Sequence, residues 1–215
     1  MAGLGLLREK SSEKKDKMPF IVFEGLDGSG LTTHAFDLHK WFEERGYEVY
    51  LTKEPTDGVF GGLIRGALRG ELKVNAKALA LLFAADRAQH TEIIKKLTSG
   101  GVVVISDRYK LSSYAYQSIE VDLGWLRKIN EGALTPDVTF VIDVPPAVCM
   151  RRLRKERFHT ELYEDAETLE KVRKNYQRLA EEEENVVIID GNRPQDVVNK
   201  EIFQKVKELE LLEGL

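Results

Sequence analysis

Phe20-Ile21-Val22-Phe23-Glu24 runs without a break into Gly25-Leu26-Asp27-Gly28-Ser29-Gly30-Leu31-Thr32-Thr33. The opening residues are β-branched or aromatic, the mark of a strand buried on both faces. The next nine follow the spacing of a phosphate-binding loop, G-x-x-x-x-G-K-[ST], at every fixed position but one. Backbone N–H groups of such a loop, with the N-terminus of the helix after it, cradle an anion without any side chain. Gly25 and Gly30 let the backbone turn tightly and let a phosphate approach. Thr32 stands where a hydroxyl reaches Mg²⁺. The departure is Leu31, which holds the place of the lysine that follows charge on the β- and γ-phosphates. Leucine supplies no charge, so another cation must replace it or transfer slows by ~10²–10³.

Four further segments read as buried parallel strands: 48–52, 102–106, 138–143 and 186–190, each apolar on both faces and bounded by Gly, Pro, Asp or Asn. Amphipathic stretches at 32–45 (stopped by Gly46), 77–98, 124–131, 147–155, 165–184 and 196–212 read as helices. Strand alternating with helix predicts an α/β domain, a three-layer sandwich around a five-stranded parallel sheet. Ligands of such sheets bind beyond the carboxyl ends of the strands. Glu24, Lys53-Glu54, Asp107-Arg108 and Asp143 lie at those ends and are expected to converge there.

With 215 residues the chain is long enough for one cored domain, expected over 19–215, behind a solvated tail at 1–18. A net charge of −4 argues against nucleic acid as the partner and for a small molecule. The lone Cys149 excludes an internal disulfide framework and suits a reducing, cytoplasmic setting. No apolar run approaches the ~20 residues of a membrane span.

Four segments in order resemble the thymidylate kinase family: Phe23-Glu-Gly-Leu-Asp-Gly-Ser-Gly30, Lys53-Glu-Pro-Thr-Asp-Gly58, Leu82-Phe-Ala-Ala-Asp-Arg-Ala-Gln-His90, and Ser106-Asp-Arg-Tyr109 with Ser112-Ser-Tyr-Ala-Tyr-Gln117. The resemblance covers nearly all of 19–204. It implies a P-loop nucleoside-monophosphate-kinase fold, with ATP as phosphate donor, dTMP as acceptor, Mg²⁺, and a homodimer. On the matching positions it implies that Asp27 reaches the acceptor's 3′-hydroxyl and Glu24 lies near the Mg²⁺ waters or the acceptor sugar. Phe83 would stack on the pyrimidine, Arg87 and Gln117 would fix the base, and Pro55 and Ser113 would add acceptor contacts. Arg65 and Arg108 would hold the acceptor phosphate, Asp107 would support the metal shell with Thr32, and Arg193 would lie over the donor adenine. Phosphoryl transfer suits these types, since it asks mainly for positioning and charge neutralisation.

The family also places a mobile lid here, at about 147–164, and in some members the catalytic arginine comes from the lid. Gly28 stands where other members carry an arginine in the loop, so this chain resembles the lid type. Arg151-Arg-Leu-Arg-Lys-Glu-Arg157 is the densest basic run after the tail. Arg151, Arg154 and Arg157, with Arg152 and Lys155 beside them, are the candidates to replace the missing charge. A solvated helix face laced with salt bridges is the plainer reading of the same run. Two other functions remain open beside a dTMP kinase: a binding paralogue weak or inactive in catalysis, and a kinase for another nucleoside monophosphate.

Overall fold

The β-branched run at Phe20 becomes β1 (Phe20–Gly25), the middle strand of a parallel sheet ordered β2-β3-β1-β4-β5 in this computed structural model, which describes residues 17–156 and 165–212. Residues 1–16 of the expected tail, and residues 157–164 of the expected lid with Arg157, lie outside them. β2 (Val49–Lys53) and β5 (Val186–Asp190) are the edges, while β3 (Val103–Asp107) and β4 (Val138–Asp143) flank β1. In register, Phe23 of β1 sits beside Asp107 of β3 and Phe140 of β4. The carboxyl ends of β1, β2 and β3 therefore end together.

Side-chain alternation along β1 builds the layers. Phe20 and Val22 pack with Val104 and with Ile94 of α3 (Ala76–Ser99) on one face. Ile21 and Phe23 join Ala35 and Leu38 of α1 (Leu31–Glu43) in the main core on the other. Phe20, Ile21 and Phe23 are fully buried, as a central parallel strand requires.

Two elements depart from the sequence-based expectation. α2 (Val59–Leu68) holds a segment with no expected helix, because Gly61, Gly62 and Gly66 depress its helix propensity. Gly61 has a packing reason: a Cβ there would lie 1.8 Å from the Thr56 carbonyl oxygen. Gly62 meets nothing within 4 Å. The other is α4 (Lys110–Ser112), which passes into a π-helical turn at Ser113–Gln117. Such turns recur at functional sites. The remaining helices are α5 (Leu123–Ile129), α6 (Pro146–Glu156), α7 (Ala166–Glu182) and α8 (Gln195–Glu208), close to the expected spans. α1 stops at Glu43, and Gly46 follows with φ +84°.

Candidate active site

A crevice of about 610 Å³ opens at the carboxyl ends of β1, β2 and β3. One wall is the loop from Gly25 to Gly30. Gly25, Gly28 and Gly30 all have positive φ, at 151°, 79° and 99°. A Cβ on Gly25 would lie 2.7 Å from the Ile142 carbonyl oxygen, and one on Gly28 would lie 2.8 Å from the Cys149 carbonyl oxygen in α6. The loop is thus pressed against α6, and no side chain, arginine included, fits at Gly28. α1 starts at Leu31, so its first N–H groups face the crevice with no acidic side chain in the first turn. That is an anion site by geometry alone.

Leu31 is 5% exposed and belongs to the main core, its Cδ2 tucked toward Gly25. From α6, Arg152 reaches the loop. Its Nη1 donates to the carbonyls of Gly28, at 3.2 Å, and Ser29, at 3.3 Å. Arg152 lines the crevice, whereas Arg151 and Arg154 are exposed and do not. In the first turn of α1, the Thr32 hydroxyl donates to Asp107 Oδ2 at 2.5 Å. Among the described residues no group of three or more His, Cys, Asp or Glu is assembled to hold a metal. A hydroxyl and one carboxylate fit Mg²⁺, which keeps several waters and takes further oxygens from phosphates.

Arg108 bridges the loop to β3. It is held at φ +73°, an uncommon backbone state for a bulky residue, by its N–H donating to the Phe23 carbonyl at 2.8 Å. Its guanidinium donates to Gly25 O at 2.9 Å, Ser112 Oγ at 3.1 Å and Asp27 Oδ1 at 2.9 Å. Burial works against the charge, but Asp27 and then the surrounding oxygens outweigh it and hold the Arg108 pKa well above its ordinary value. Tyr116 hydroxyl donates to Asp27 Oδ2 at 3.2 Å, so Asp27 is fixed from two sides.

Glu24 lies under the crevice rather than in it. It is fully buried, with Oε1 accepting from the N–H groups of Tyr109 and Ser112 and Oε2 from the hydroxyls of Ser112 and Tyr176. Burial pushes its carboxyl up to about 7, against those hydrogen bonds and the Arg108 charge. In this structure it braces the segment under Arg108 and touches neither the expected metal site nor the acceptor space. Asp143 also stays out of the crevice. Arg173 takes both of its oxygens, at 2.6 and 2.8 Å. Cys149 is buried and inert as a nucleophile, burial pushing its thiol up to about 11.

At the far end the crevice is lined by Pro55, Arg65, Phe83, Arg87, Ser113 and Gln117. Arg87 is buried and held by Glu54, Asn130, the Tyr109 carbonyl and Ser113. Arg65 donates to the Thr56 carbonyl at 2.6 Å, and buried Asp86 accepts from the N–H and hydroxyl of Thr56. These bonds shape the turn after β2. Gln117 is 3% exposed, yet neither amide atom has a partner among the described residues. The opposite end is formed by His34, Gly191, Arg193 and Gln195, with Arg193 engaged by Asp190 and Glu201.

The structure thus brings together every sequence-designated site residue from Leu26 to Thr33, with Pro55, Arg65, Phe83, Arg87, Asp107, Arg108, Ser113, Gln117 and Arg193. The crevice also contains Lys53 and Glu54, expected there from the end of β2, and residues not singled out from the sequence: Tyr116, His34 and Gln195. Tyr116 lay inside a quoted motif. His34 directly follows Thr33, so the helix start itself was the available signal.

A sequence profile described as thymidylate kinase matches residues 23–202. A protein of Thermococcus kodakarensis named "Probable thymidylate kinase" is 44% identical over 200 residues, which cover 88% of this chain and 98% of that one. Proteins of the same name from Pyrococcus horikoshii and Methanocaldococcus jannaschii are 44% and 39% identical. Those matches cover 87% and 88% of this chain and 95% and 96% of the two relatives.

Proposed function

The chain belongs to the thymidylate kinase family, and from that premise we propose that it transfers the γ-phosphate of ATP to dTMP, with Arg152 supplying charge at the phosphate loop in place of lysine. The observation that carries this reading is the single crevice. It runs from the anion site at α1, past Asp27–Arg108, to the pocket around Phe83 and the unpaired amide of Gln117.

In this arrangement the α1 N–H groups and the loop bind the donor phosphates. Phe83 offers a flat face to the acceptor base, and Gln117 offers a donor and an acceptor to its edge. Arg65 and Arg108 meet the acceptor phosphate. An oxygen of that phosphate attacks the γ-phosphorus. The bond from that phosphorus to the β–γ bridging oxygen breaks, and ADP leaves with the electron pair. Asp27 orients Arg108, and its partly exposed carboxylate keeps lone pairs beyond those taken by Arg108 and Tyr116 for the acceptor sugar. Arg152 faces the charge that develops on the leaving phosphates. Thr32 and Asp107 would hold Mg²⁺, which neutralises phosphate charge when bound.

A homodimer is part of the proposal. It is supported by exposed Val59, Leu63 and Leu81 on the paired helices α2 and α3, and light scattering on the purified chain would detect it. No helix among the described residues is long and apolar enough to cross a membrane. A cytoplasmic setting is supported by the buried free thiol of Cys149.

The test is steady-state ADP formation from ATP and Mg²⁺ with dTMP, dUMP and dCMP in turn. Turnover highest in kcat/KM with dTMP, and lost on chelation of Mg²⁺, is expected. The burial of Leu31 favours a second reading, a binding paralogue. That reading predicts nucleotide binding without turnover for any acceptor, and such a result would overturn the proposal.

A further inference from the structure

His34 sits in the first turn of α1, 5% exposed, at the end of the crevice away from Phe83. The tautomer of its neutral ring is set by a chain of neighbours. Asp37 Oδ2 accepts from Gln195 Nε2 and from Asn199 Nδ2, each at 2.6 Å. A carboxylate accepts only, so the NH₂ of Asn199 faces Asp37 and its carbonyl oxygen faces His34 Nδ1, 2.7 Å away. A carbonyl oxygen also accepts only, so Nδ1 carries the proton. In the neutral ring Nε2 is then a bare lone pair.

Nε2 points back over the loop. A Cβ built on Gly30 would lie 3.5 Å from it, and no group among the described residues is bonded to it. A bare lone pair repels a phosphate oxygen and accepts from O–H or N–H. Thr33, Gly191, Arg193 and Gln195 line the same crevice, which also runs to the acceptor end at Phe83.

We propose that His34 reads the phosphate donor's nucleoside, its Nε2 accepting a hydrogen bond from a sugar hydroxyl or a base amino group. Asp37 and Asn199 lock the ring in the tautomer that does so. The inference rests on the ATP reading above and names a residue that selects within that site. It makes nucleoside recognition depend on a side chain of α1 braced by α8, two helices that pack together.

The test measures the dissociation constant of ATP by calorimetry, and the KM values of ATP and dTMP, for the unaltered chain, His34→Leu and His34→Gln. The same constants are measured for 2′-deoxy-ATP, 3′-deoxy-ATP and the triphosphate of purine riboside, which lacks the amino group. His34→Leu is expected to weaken ATP about 5- to 10-fold, one hydrogen bond, with the KM of dTMP unchanged. His34→Gln, which keeps an acceptor at similar reach, is expected to recover most of that and covers the case of a poorly folded leucine variant. The unaltered chain loses the same factor against one analogue, and His34→Leu loses nothing further against it. Whether that analogue lacks a hydroxyl or the amino group names the partner. Equal ATP affinity in all three proteins, or the same loss against ATP and every analogue, overturns the inference. No ATP binding by the unaltered chain overturns the donor assignment itself.

Discussion

Arg152 is one of five cations in a seven-residue run, and nothing local to the sequence distinguishes it. What selects it is the rotation of α6 against the loop, fixed where Gly28 lets the Cys149 carbonyl approach. Arg152→Ala is therefore expected to lower kcat by ~10²–10³, with KM for dTMP little changed. Arg151→Ala and Arg154→Ala, exposed and off the crevice, should each stay within about threefold. Equal losses for all three would mean that the run acts as a diffuse field. Gln117 gives a second contrast, because a buried amide without partners costs stability in the free protein. Gln117→Leu should raise the KM of dTMP about 3- to 10-fold while leaving the thermal midpoint equal or higher. A lower midpoint would assign the amide a structural role instead. Asp27 and Arg108 were both legible in their motifs. Their ion pair, across 81 residues, was not. Glu24 misled for a related reason: a carboxylate at a strand end reads as a site group, and only Tyr176 and the Tyr109–Ser112 segment, distant in sequence, enclose it.

At the scale of elements, legibility followed burial. β1, β3 and β4 are near-continuous apolar runs and are also the interior strands, since burial on both faces is what such runs encode. α2 was hidden because its glycines serve different masters. Gly61 is demanded by the Thr56 backbone, which in turn is held by Asp86 and supports Arg65. Gly62, exposed and open, is demanded by nothing among the described residues. Gly62→Ala should stabilise the protein by about 0.5–1 kcal/mol in urea titration, through helix propensity and a less free unfolded chain. Gly61→Ala should destabilise it and weaken dTMP, because the turn carrying Pro55 and Thr56 must move. A neutral Gly61→Ala would show that this turn yields freely. The π-helical turn was hidden because Ser113-Tyr-Ala-Tyr-Gln117 has no periodic apolar face of helical length. Its irregular winding puts Ser113, Tyr116 and Gln117 on the crevice together.

For the molecule as a whole, the parallel sheet set where the site must be, and the carboxyl ends of β1, β2 and β3 supply most of the crevice. Asp143, at the end of β4, was captured by Arg173 instead. Placing the crevice there has a thermodynamic consequence, because β1 ends in a carboxyl that burial removes from water. Glu24 ionises at about 7 in the folded chain against an ordinary 4.5. A folded state that holds its proton more tightly gains stability at low pH. That gain is full below 4.5, falls as pH rises from 4.5 to 7, and is absent above. At about 1.4 kcal/mol per pH unit the span is roughly 3 kcal/mol. Other carboxylates titrate in the same window, so the difference between two proteins isolates the effect. Urea unfolding of the unaltered chain and of Glu24→Gln, at pH values from 4.5 to 8, should give stabilities that converge or cross as pH rises. The unaltered chain should lose more than the variant, and the difference should level off above 7. The hydrogen bonds from Ser112 and Tyr176 favour the carboxylate and oppose this loss, so the slope weighs burial directly against them. Parallel stability curves would mean that the enclosing hydroxyls and Arg108 offset the burial of charge completely.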